Sequence, residues 1–179
     1  IVDVTDFFQR CTFEPFHGKT VRAVNVHQQM SKKFHKKFEE FAKKIGMGGL
    51  GYLQVQDDMT YKGPIDKFIP DDMKQEIADI AGLQAGDTIF FICDKEKQAA
   101  LFAGQIRTEL GNRLDLLEKN AYRFCFINDF PMYEYDEKEK KIIFTHNPFS
   151  MPQGGLEALN TMDPEEILAY QYDIVCNGV

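Results

Sequence analysis

Four histidines are the side chains in this sequence best suited to proton transfer or anion binding near neutral pH. His146 is the last residue of the segment KKIIFTH, where a predicted strand should leave its sheet. Its imidazole N–H can donate a hydrogen bond to a carboxylate, and a bound anion would favour the charged ring. By residue type alone, His146 could also be a packing residue satisfied by backbone groups. His17, His27 and His35 lack metal-ligand spacing with Cys or carboxylates, so we expect them at the surface and predict no metal site.

Paired carboxylates, which can perform general acid–base catalysis, occur at Asp57-Asp58, Asp71-Asp72 and Glu165-Glu166. Each pair lies at a predicted turn or helix start, where capping and solvation explain it without catalysis. The glycine-rich segment GMGGLG (residues 46–51) follows a predicted helix and precedes a predicted strand. A phosphate-binding loop has the opposite order, so we interpret this segment as a flexible connection.

A lysine-rich segment is the second candidate for function. Ser31 can cap a helix that extends to about Ile45, and Gly46 can end it in a left-handed conformation. One face of this helix is apolar and consists of Phe34, Phe38, Phe41, Ala42 and Ile45. Most of the lysines fall off that face, among them Lys32, Lys33, Lys36 and Lys37. They form either a solvated surface or a non-specific contact with nucleic-acid phosphates.

Charge is unevenly distributed along the chain. Residues 19–44 contain eight Lys or Arg and two Glu, a local balance of +6, although the net charge of the whole chain is −7. The remaining residues therefore carry −13. A basic patch on an acidic protein could still contact nucleic acid.

Composition indicates a folded protein of one domain, or of one domain with part of another. The chain has 179 residues, of which 44% are hydrophobic, enough to bury a core. Its four cysteines are far apart and form no CxxC pair, so we expect buried, reduced thiols in a cytoplasmic protein. No apolar run approaches the roughly 20 residues that span a bilayer, which predicts a soluble protein.

The first two thirds of the chain alternate between predicted strands and helices. Strands are predicted at TVRAVNV, LGYLQVQ, IDKFI and TIFFICD, in that order. A second helix is predicted after Pro70, with Met73, Ile77 and Ile80 on its apolar face and Gly82 at its end. A third helix is predicted after Asp94 as its cap, with an apolar face that consists of Ala99, Phe102, Ala103, Ile106 and Leu110. These elements predict a two-layer α+β unit with a mixed or antiparallel sheet and two to three helices.

Longer strands with loops between them follow residue 118. They are YRFCFI, KKIIFTH and YDIVC, and the acidic segment YDEKEKK is predicted to form a hairpin tip. Domain boundaries are predicted near residues 14–19 and 115–122.

Six short patterns in the first unit resemble the insertion module, or GAD domain, that bacterial-type aspartyl-tRNA synthetases share with the B subunit of the tRNA amidotransferase. They are VRAVNV, FAKKIG, GLGYLQV, GPIDKFI, AGD before IFF, and IRTELG. Three later patterns, FPMYEY, HNPFSMP and DIVCNGV, are similar to the catalytic domain of the synthetase, a class II enzyme. The amidotransferase subunit should lack these later patterns, so the resemblance favours the synthetase.

The resemblance implies three segments: residues 1–18 as catalytic-domain or linker sequence, 19–117 as the inserted module, and 118–179 as part of an antiparallel class II catalytic sheet. It also implies that His146 contacts bound aspartate and that tRNA is the nucleic acid Lys32, Lys33, Lys36 and Lys37 would contact. Asn147 departs from the His-His form of many relatives, and we do not include it in the site.

The function implied is that of an aspartate–tRNA ligase, with ATP and Mg²⁺ as cofactors, a homodimeric assembly, and no membrane or DNA partner. The chain lacks an initiator Met and the F-R-x-E and G-x-G-x-x-R patterns of that family, so we expect a piece of the enzyme without activity of its own. The alternative is an autonomous tRNA- or protein-binding module, as in the amidotransferase subunit. A small complete enzyme that uses His146 with Glu134 or Asp129 is a third possibility, but it lacks a recognisable nucleophile.

Overall fold

The computed structural model describes residues 1–145 and 150–179. It divides into two compact units, Ile1–Leu117 and Glu118–Val179, which are described separately below. The three-segment division implied by the resemblance stays a prediction, because compactness alone does not test where a segment originates.

The first unit contains both short and long elements in a mixed order. They are β1 (Val2–Asp3), α1 (Thr5–Gln9), β2 (Thr20–Val26), α2 (Lys32–Lys44), β3 (Gly51–Val55), β4 (Tyr61–Lys62), α3 (Lys74–Ala81), β5 (Thr88–Asp94) and α4 (Glu96–Arg113). Short 3-10 turns cover Glu14–Phe16, Asp66–Phe68 and Asp71–Met73.

Within this unit the described strands form one sheet in the order β1-β2-β5-β3-β4. All neighbouring strands are antiparallel, and the long central pair aligns Thr20 with Asp94 and Val26 with Thr88. This confirms the α+β class and the antiparallel pairing that the short connections predicted.

Helices cover both faces of this sheet, whereas the sequence analysis expected two layers. On one face, Ile89 and Phe91 of β5 pack in a cluster with residues of α1 and α3. On the other face, Phe90 and Ile92 pack in a second cluster with α2 and α4. The reason is visible in β5 itself, since a strand buried on both faces is apolar throughout instead of alternating.

The amino-terminal residues belong to the core of the first unit. Phe7 and Phe8 of α1 are almost fully buried, at 1% and 0% exposure. Phe8 meets Phe16 and Phe91 edge-on, with ring centroids 4.9 Å apart in both pairs. Edge-to-face contacts add to the burial of such rings, so α1 contributes both area and specific packing.

Most local predictions for the first unit are confirmed. Helix α2 begins where predicted, because the Ser31 side chain accepts a hydrogen bond from the Phe34 N–H at 3.2 Å. Phe38 and Ala42 are fully buried beneath it, and Gly46 follows it with a φ of +100°.

Three local predictions are wrong. The segment IDKFI is a 3-10 turn (Asp66–Phe68), since its apolar residues are spaced i, i+3, i+4 instead of alternating. Lys95 is the N-cap of α4, although Asp94 accepts a hydrogen bond from the Lys95 N–H at 2.7 Å. Ile80 is 38% exposed and not a core residue of α3.

The described residues of the second unit form two antiparallel strand pairs, a helix and a 3-10 turn at Pro164–Glu166. Its elements are β6 (Phe124–Ile127), β7 (Tyr133–Asp136), β8 (Lys141–Phe144), α5 (Gly155–Thr161) and β9 (Asp173–Cys176). Strand β6 pairs with β9, and β7 pairs with β8 in the predicted hairpin. At the hairpin tip, Asp136 accepts hydrogen bonds from the Lys138 and Glu139 N–H groups.

The described residues of the second unit bury little apolar surface. Its hydrophobic cluster contains Met132, Ile167 and Ala169, with Tyr133 packed against it. By contrast, β6 and β9 expose large side chains such as Phe124, Phe126 and Ile174, each more than 60% exposed. No helix in the described part of the chain combines the length and the apolar character needed to cross a bilayer.

Candidate functional site

His146, which the sequence analysis selected as a ligand-binding residue, follows β8 in the chain. His146 and its neighbour Asn147 lie outside the described residues. What can be described is the protein on either side of them.

The described residues on both sides of positions 146–149 make hydrogen bonds to other parts of the second unit. Before these positions, the Thr145 N–H donates to the Met132 carbonyl at 3.3 Å, and the Thr145 hydroxyl donates to the Pro131 carbonyl. After them, the Ser150 hydroxyl donates to Gln171 Oε1 at 3.0 Å. Thr145 and Ser150 are therefore both held by hydrogen bonds within the second unit.

The lysine-rich surface lies on α2, which packs on the sheet through its opposite side. Lys32, Lys33, Lys36 and Lys37 are all exposed. At 3.6 residues per turn, they cover an arc of about 140° of the helix. We call these four residues the lysine face.

In the described part of the chain, the lysine face lacks acidic partners. Among residues 1–145 and 150–179, none of its four lysines has a carboxylate oxygen within 4.0 Å. Lys43, at the far end of the helix, pairs with Glu39 at 2.7 Å. The positive charge of the lysine face is thus available to a ligand.

The position of these lysines on the helix increases the local positive potential. Lys32 and Lys33 are the first two residues of α2, and no acidic residue occurs in its first turn. The amino terminus of a helix carries partial positive charge, so cations there are unfavourable and anions are favourable. A phosphate group near this end would interact with both the lysines and the helix dipole.

His35 is buried between the helix and the sheet, so the prediction that it lies at the surface is wrong. Its exposure is 8%, and its ring stacks on Tyr52 with centroids 3.7 Å apart and planes 9° from parallel. Neither ring nitrogen has a hydrogen-bond partner among the described residues. Burial lowers the pKa of His35, because the charged ring would lose its hydration.

A polar cluster that the sequence analysis missed connects β2 to the start of β5. Asp87 is 2% exposed and accepts hydrogen bonds from the Asn25 side chain at 2.8 Å and the Gln84 N–H at 2.9 Å. His27 Nδ1 lies 3.0 Å from the same carboxylate. The imidazole of His27 is exposed, as predicted, and Asp87 serves to join the two strands.

Two of the carboxylate pairs behave as local structural groups, in agreement with the prediction. Asp58 accepts hydrogen bonds from the Thr60 hydroxyl and N–H, which lower the pKa of Asp58. Asp71 lies 2.8 Å from the Lys74 ammonium, and this contact lowers the pKa of Asp71.

The cysteines are only partly as expected. Cys11 is buried, and burial raises the pKa of its thiol to about 11. Cys125 is exposed, contrary to the prediction, since it lies on β6. In the described part of the chain, no group of three or more His, Cys, Asp or Glu side chains could hold a metal ion.

The first unit is similar to a family of known domains. Residues 14–102 match the model of the GAD domain family. The match includes β2 to β5, the lysine face and the beginning of α4.

Curated relatives extend the similarity to the rest of the chain. The chain is 50% identical over 186 aligned residues to the aspartate–tRNA(Asp/Asn) ligase of Ehrlichia canis (strain Jake), covering 100% of this chain and 32% of that protein. It is 48% identical to the ligase of the same name from Gluconobacter oxydans (strain 621H), covering 100% of this chain and 31% of that protein. It is 45% identical to the ligase of the same name from Wolbachia sp. subsp. Brugia malayi (strain TRS), covering 100% of this chain and 31% of that protein.

The chain is thus similar along its whole length to aspartate–tRNA(Asp/Asn) ligases. It spans about a third of the length of these relatives. The similarity includes the second unit, beyond the GAD domain, as the resemblance of the three later patterns implied.

Proposed function

We propose that this chain is the part of an aspartate–tRNA ligase that contains the GAD domain and adjoining strands of the catalytic domain. The observation that supports this is the identity of 45–50% along the whole chain, including residues 103–179 outside the GAD match. The reaction of the complete protein would be ATP-dependent attachment of aspartate to tRNA.

The exposed apolar ribbon of β6 and β9 supports this assignment. Soluble proteins rarely leave adjacent large apolar side chains open to water, unless another part of the protein or a partner covers them. In the proposed ligase, the remaining two thirds of the polypeptide would supply that cover and the rest of the catalytic sheet. Homodimerisation of the complete enzyme is part of the same proposal.

ATP and Mg²⁺ would act in the complete enzyme. Among residues 1–145 and 150–179 no group of three or more His, Cys, Asp or Glu side chains could hold a metal ion, and we assign no step through Mg²⁺ to this chain. The chain on its own should not activate aspartate, because it lacks the F-R-x-E and G-x-G-x-x-R patterns of the ligases that it resembles.

Aspartate-dependent ATP–pyrophosphate exchange tests the proposed function. The 179-residue chain and the complete protein that contains it are assayed side by side. Activity of the complete protein and none of the chain is the expected result. Exchange by the chain alone would show that it contains a full active site, and inactivity of the complete protein with aspartate would refute the ligase assignment.

His146 is proposed to contact the carboxylate of bound aspartate. Support comes from its place in the HNPFSMP pattern and from the hydrogen bonds that hold Thr145 and Ser150 on either side of it. A hydrogen bond to a charged group contributes roughly 1.5–3 kcal/mol, or about 10- to 150-fold in affinity.

The test is His146→Ala in the complete protein, with aspartate affinity measured by calorimetry. His27→Ala is the matched control, because His27 is an exposed histidine of the other unit. An aspartate affinity that His146→Ala leaves unchanged would remove this residue from the site.

The lysine face is proposed to contact tRNA phosphates. Its four exposed lysines lack carboxylate partners among the described residues, and two of them stand at the positive end of α2. Each phosphate contact releases counterions, so affinity should fall as salt rises.

Replacing all four lysines by glutamine tests this proposal in the complete protein. The tRNA affinity should fall, and the slope of log affinity against log salt should become shallower. Lys62→Gln combined with Lys97→Gln is a control for loss of charge elsewhere on the same unit. An unaltered affinity and salt slope would show that the lysine face is only solvated.

A further inference from the structure

A cleft on the first unit combines apolar walls with two lysines. Its volume is about 500 Å³, and its lining residues come from segments 13–19, 48–51 and 64–68, together with Cys93 of β5. We call it the Phe–Lys cleft after Phe13, Phe16, Phe68, Lys19 and Lys67. Pockets that hold a ligand of drug size are about 300–1,000 Å³, so this cleft could hold a large side chain and its flanking backbone.

Phenylalanine rings line the cleft and pack against one another. Phe13 contacts Phe16 edge-on, with ring centroids 4.7 Å apart. Its ring is tilted by 47° against that of Phe68, with centroids 4.6 Å apart. Phe13 and Phe68 are only half-buried, so parts of both rings remain accessible. Lys67 Nζ lies 4.9 Å from the centre of the Phe68 ring and covers one of its faces.

The glycine-rich segment also lines the cleft. At Gly51 a Cβ would lie 2.9 Å from the Cδ1 atom of Ile65, so a larger residue there would require the Ile65 side chain to shift. Gly48 and Gly49 are exposed, and a Cβ on either would meet no atom within 4 Å. The flexible connection of the sequence analysis thus leaves the cleft open.

The charged side chains that line the cleft are both lysines. No Asp or Glu lines it, and in residues 1–145 and 150–179 neither Lys19 nor Lys67 has a carboxylate oxygen within 4.0 Å. Lys19 Nζ donates a hydrogen bond to the Pro15 carbonyl at 3.2 Å, which holds it at the rim. The lysine face of α2 is separate from the cleft, since none of its four residues lines it.

We propose that the Phe–Lys cleft binds an acidic peptide segment of a partner protein. One aromatic or large aliphatic side chain of the segment enters between the rings and the glycine backbone, and its flanking carboxylates pair with Lys19 and Lys67. The charge of the cleft selects an anionic occupant. A nucleic-acid base is disfavoured because base recognition uses free ring faces, whereas here the rings pack against one another and Lys67 covers Phe68.

Calorimetric titration of the 179-residue chain tests the proposal. The probe is an acetylated pentapeptide with a central phenylalanine between two aspartates and with glutamates at its ends. Two matched peptides differ in one feature each: alanine at the centre, or lysines in place of all the acidic residues. Binding of the probe alone, with a Kd below about 1 mM, is the expected result.

Variants of the chain locate the binding. Lys19→Gln with Lys67→Gln should weaken the probe at least about tenfold, whereas Lys19→Arg with Lys67→Arg should retain most of the affinity. Lys62→Gln with Lys97→Gln is the control, because neither residue lines the cleft. Amide NMR shifts during the titration should be largest at Gly49, Gly51 and Cys93.

Three outcomes would overturn the proposal. They are no binding of the probe up to about 1 mM, binding that the glutamine variant leaves unchanged, and equal binding of the alanine peptide. Tighter binding of a single-stranded oligoribonucleotide that shifts the same amides and is lost in the glutamine variant would assign the cleft to RNA instead. None of these outcomes depends on ligase activity.

Discussion

His35 and the lysine face are neighbours on one helix, yet their environments are opposite. The lysines are exposed and free of carboxylate partners in the described part of the chain, whereas His35 is enclosed between α2 and β3. The imidazole is therefore a packing residue, stacked on Tyr52, and the ligand-binding candidates are the residues around it.

His35 should make the stability of the first unit depend on pH. Burial lowers its pKa in the folded protein relative to the value of about 6.5 expected in the unfolded chain. The unfolded state then binds the proton more readily, so this contribution to stability is present above pH 6.5 and is lost as the pH falls below that value.

Urea unfolding followed by circular dichroism at pH 7.5 and 5.5 measures this effect. His35→Phe retains an aromatic ring against Tyr52 and removes the titration, so its free energy of unfolding should fall less between the two pH values than that of the unmodified chain. Lys33→Gln, on the same helix, should leave the fall unchanged. Equal falls in His35→Phe and the unmodified chain would contradict the assignment.

At the scale of the element, two glycines of the first unit should respond oppositely to the same substitution. At Gly63 a Cβ would overlap the Tyr52 carbonyl oxygen and lie 3.1 Å from Leu53 Cα, atoms of β3 that cannot move aside. Gly104 lies in the middle of α4, where a Cβ meets nothing within 4 Å.

Gly63→Ala should therefore destabilise the protein by about 1–3 kcal/mol through overpacking. Gly104→Ala should stabilise it by about 1 kcal/mol, because alanine loses less backbone entropy in a helix. Urea unfolding of both variants checks the two signs. If Gly63→Ala left the free energy of unfolding unchanged, β3 and the turn at Gly63 could move apart without loss of stability.

The lysines in the first turn of α2 should lower the stability of the helix, because they lie at the positive end of its dipole. Replacing Lys32 and Lys33 by glutamate puts anions at the positive end of the helix dipole and should stabilise it by about 0.3–1 kcal/mol per residue at low salt. Lys44→Glu, in the last turn, should have the opposite sign. The same double substitution should weaken tRNA binding by the complete protein, and a gain in both stability and affinity would refute this account of the lysine face.

At the scale of the whole molecule, the two units differ in how much core each contains. The first unit encloses its central strand β5 between two apolar clusters. In the second unit, the cluster among the described residues is small, and the strands β6 and β9 are exposed.

Amide hydrogen exchange on the 179-residue chain should show this difference directly. The amides of Ile89 to Ile92 should exchange most slowly, near the global limit, whereas those of β6 and β9 should exchange by local opening. In the complete protein, where the exposed apolar surface of β6 and β9 should be covered, the amides of these two strands should exchange more slowly. Equal protection of β5 and β6 in the isolated chain would contradict this difference between the cores.

The elements with strong local signals could be predicted from the sequence. Helix α2 was predicted correctly because its capping serine, apolar face and terminal glycine agree with one another. The buried β5 and the hairpin of β7 and β8 were also predicted, from an apolar run and an acidic tip. The segment at residues 65–69 was not, because its five residues were assigned to a strand although their apolar spacing is helical.

The candidate sites depend on information of two kinds. The sequence by itself determined the lysine pattern, the family resemblance and the selection of His146, since each rests on residue types in a fixed order. Only the tertiary structure decided that His35 is buried, that Asp87 joins two strands and that three distant segments form the Phe–Lys cleft. The physical reason is that burial and charge pairing depend on contacts between residues far apart in the chain, and local periodicity does not specify which of them meet.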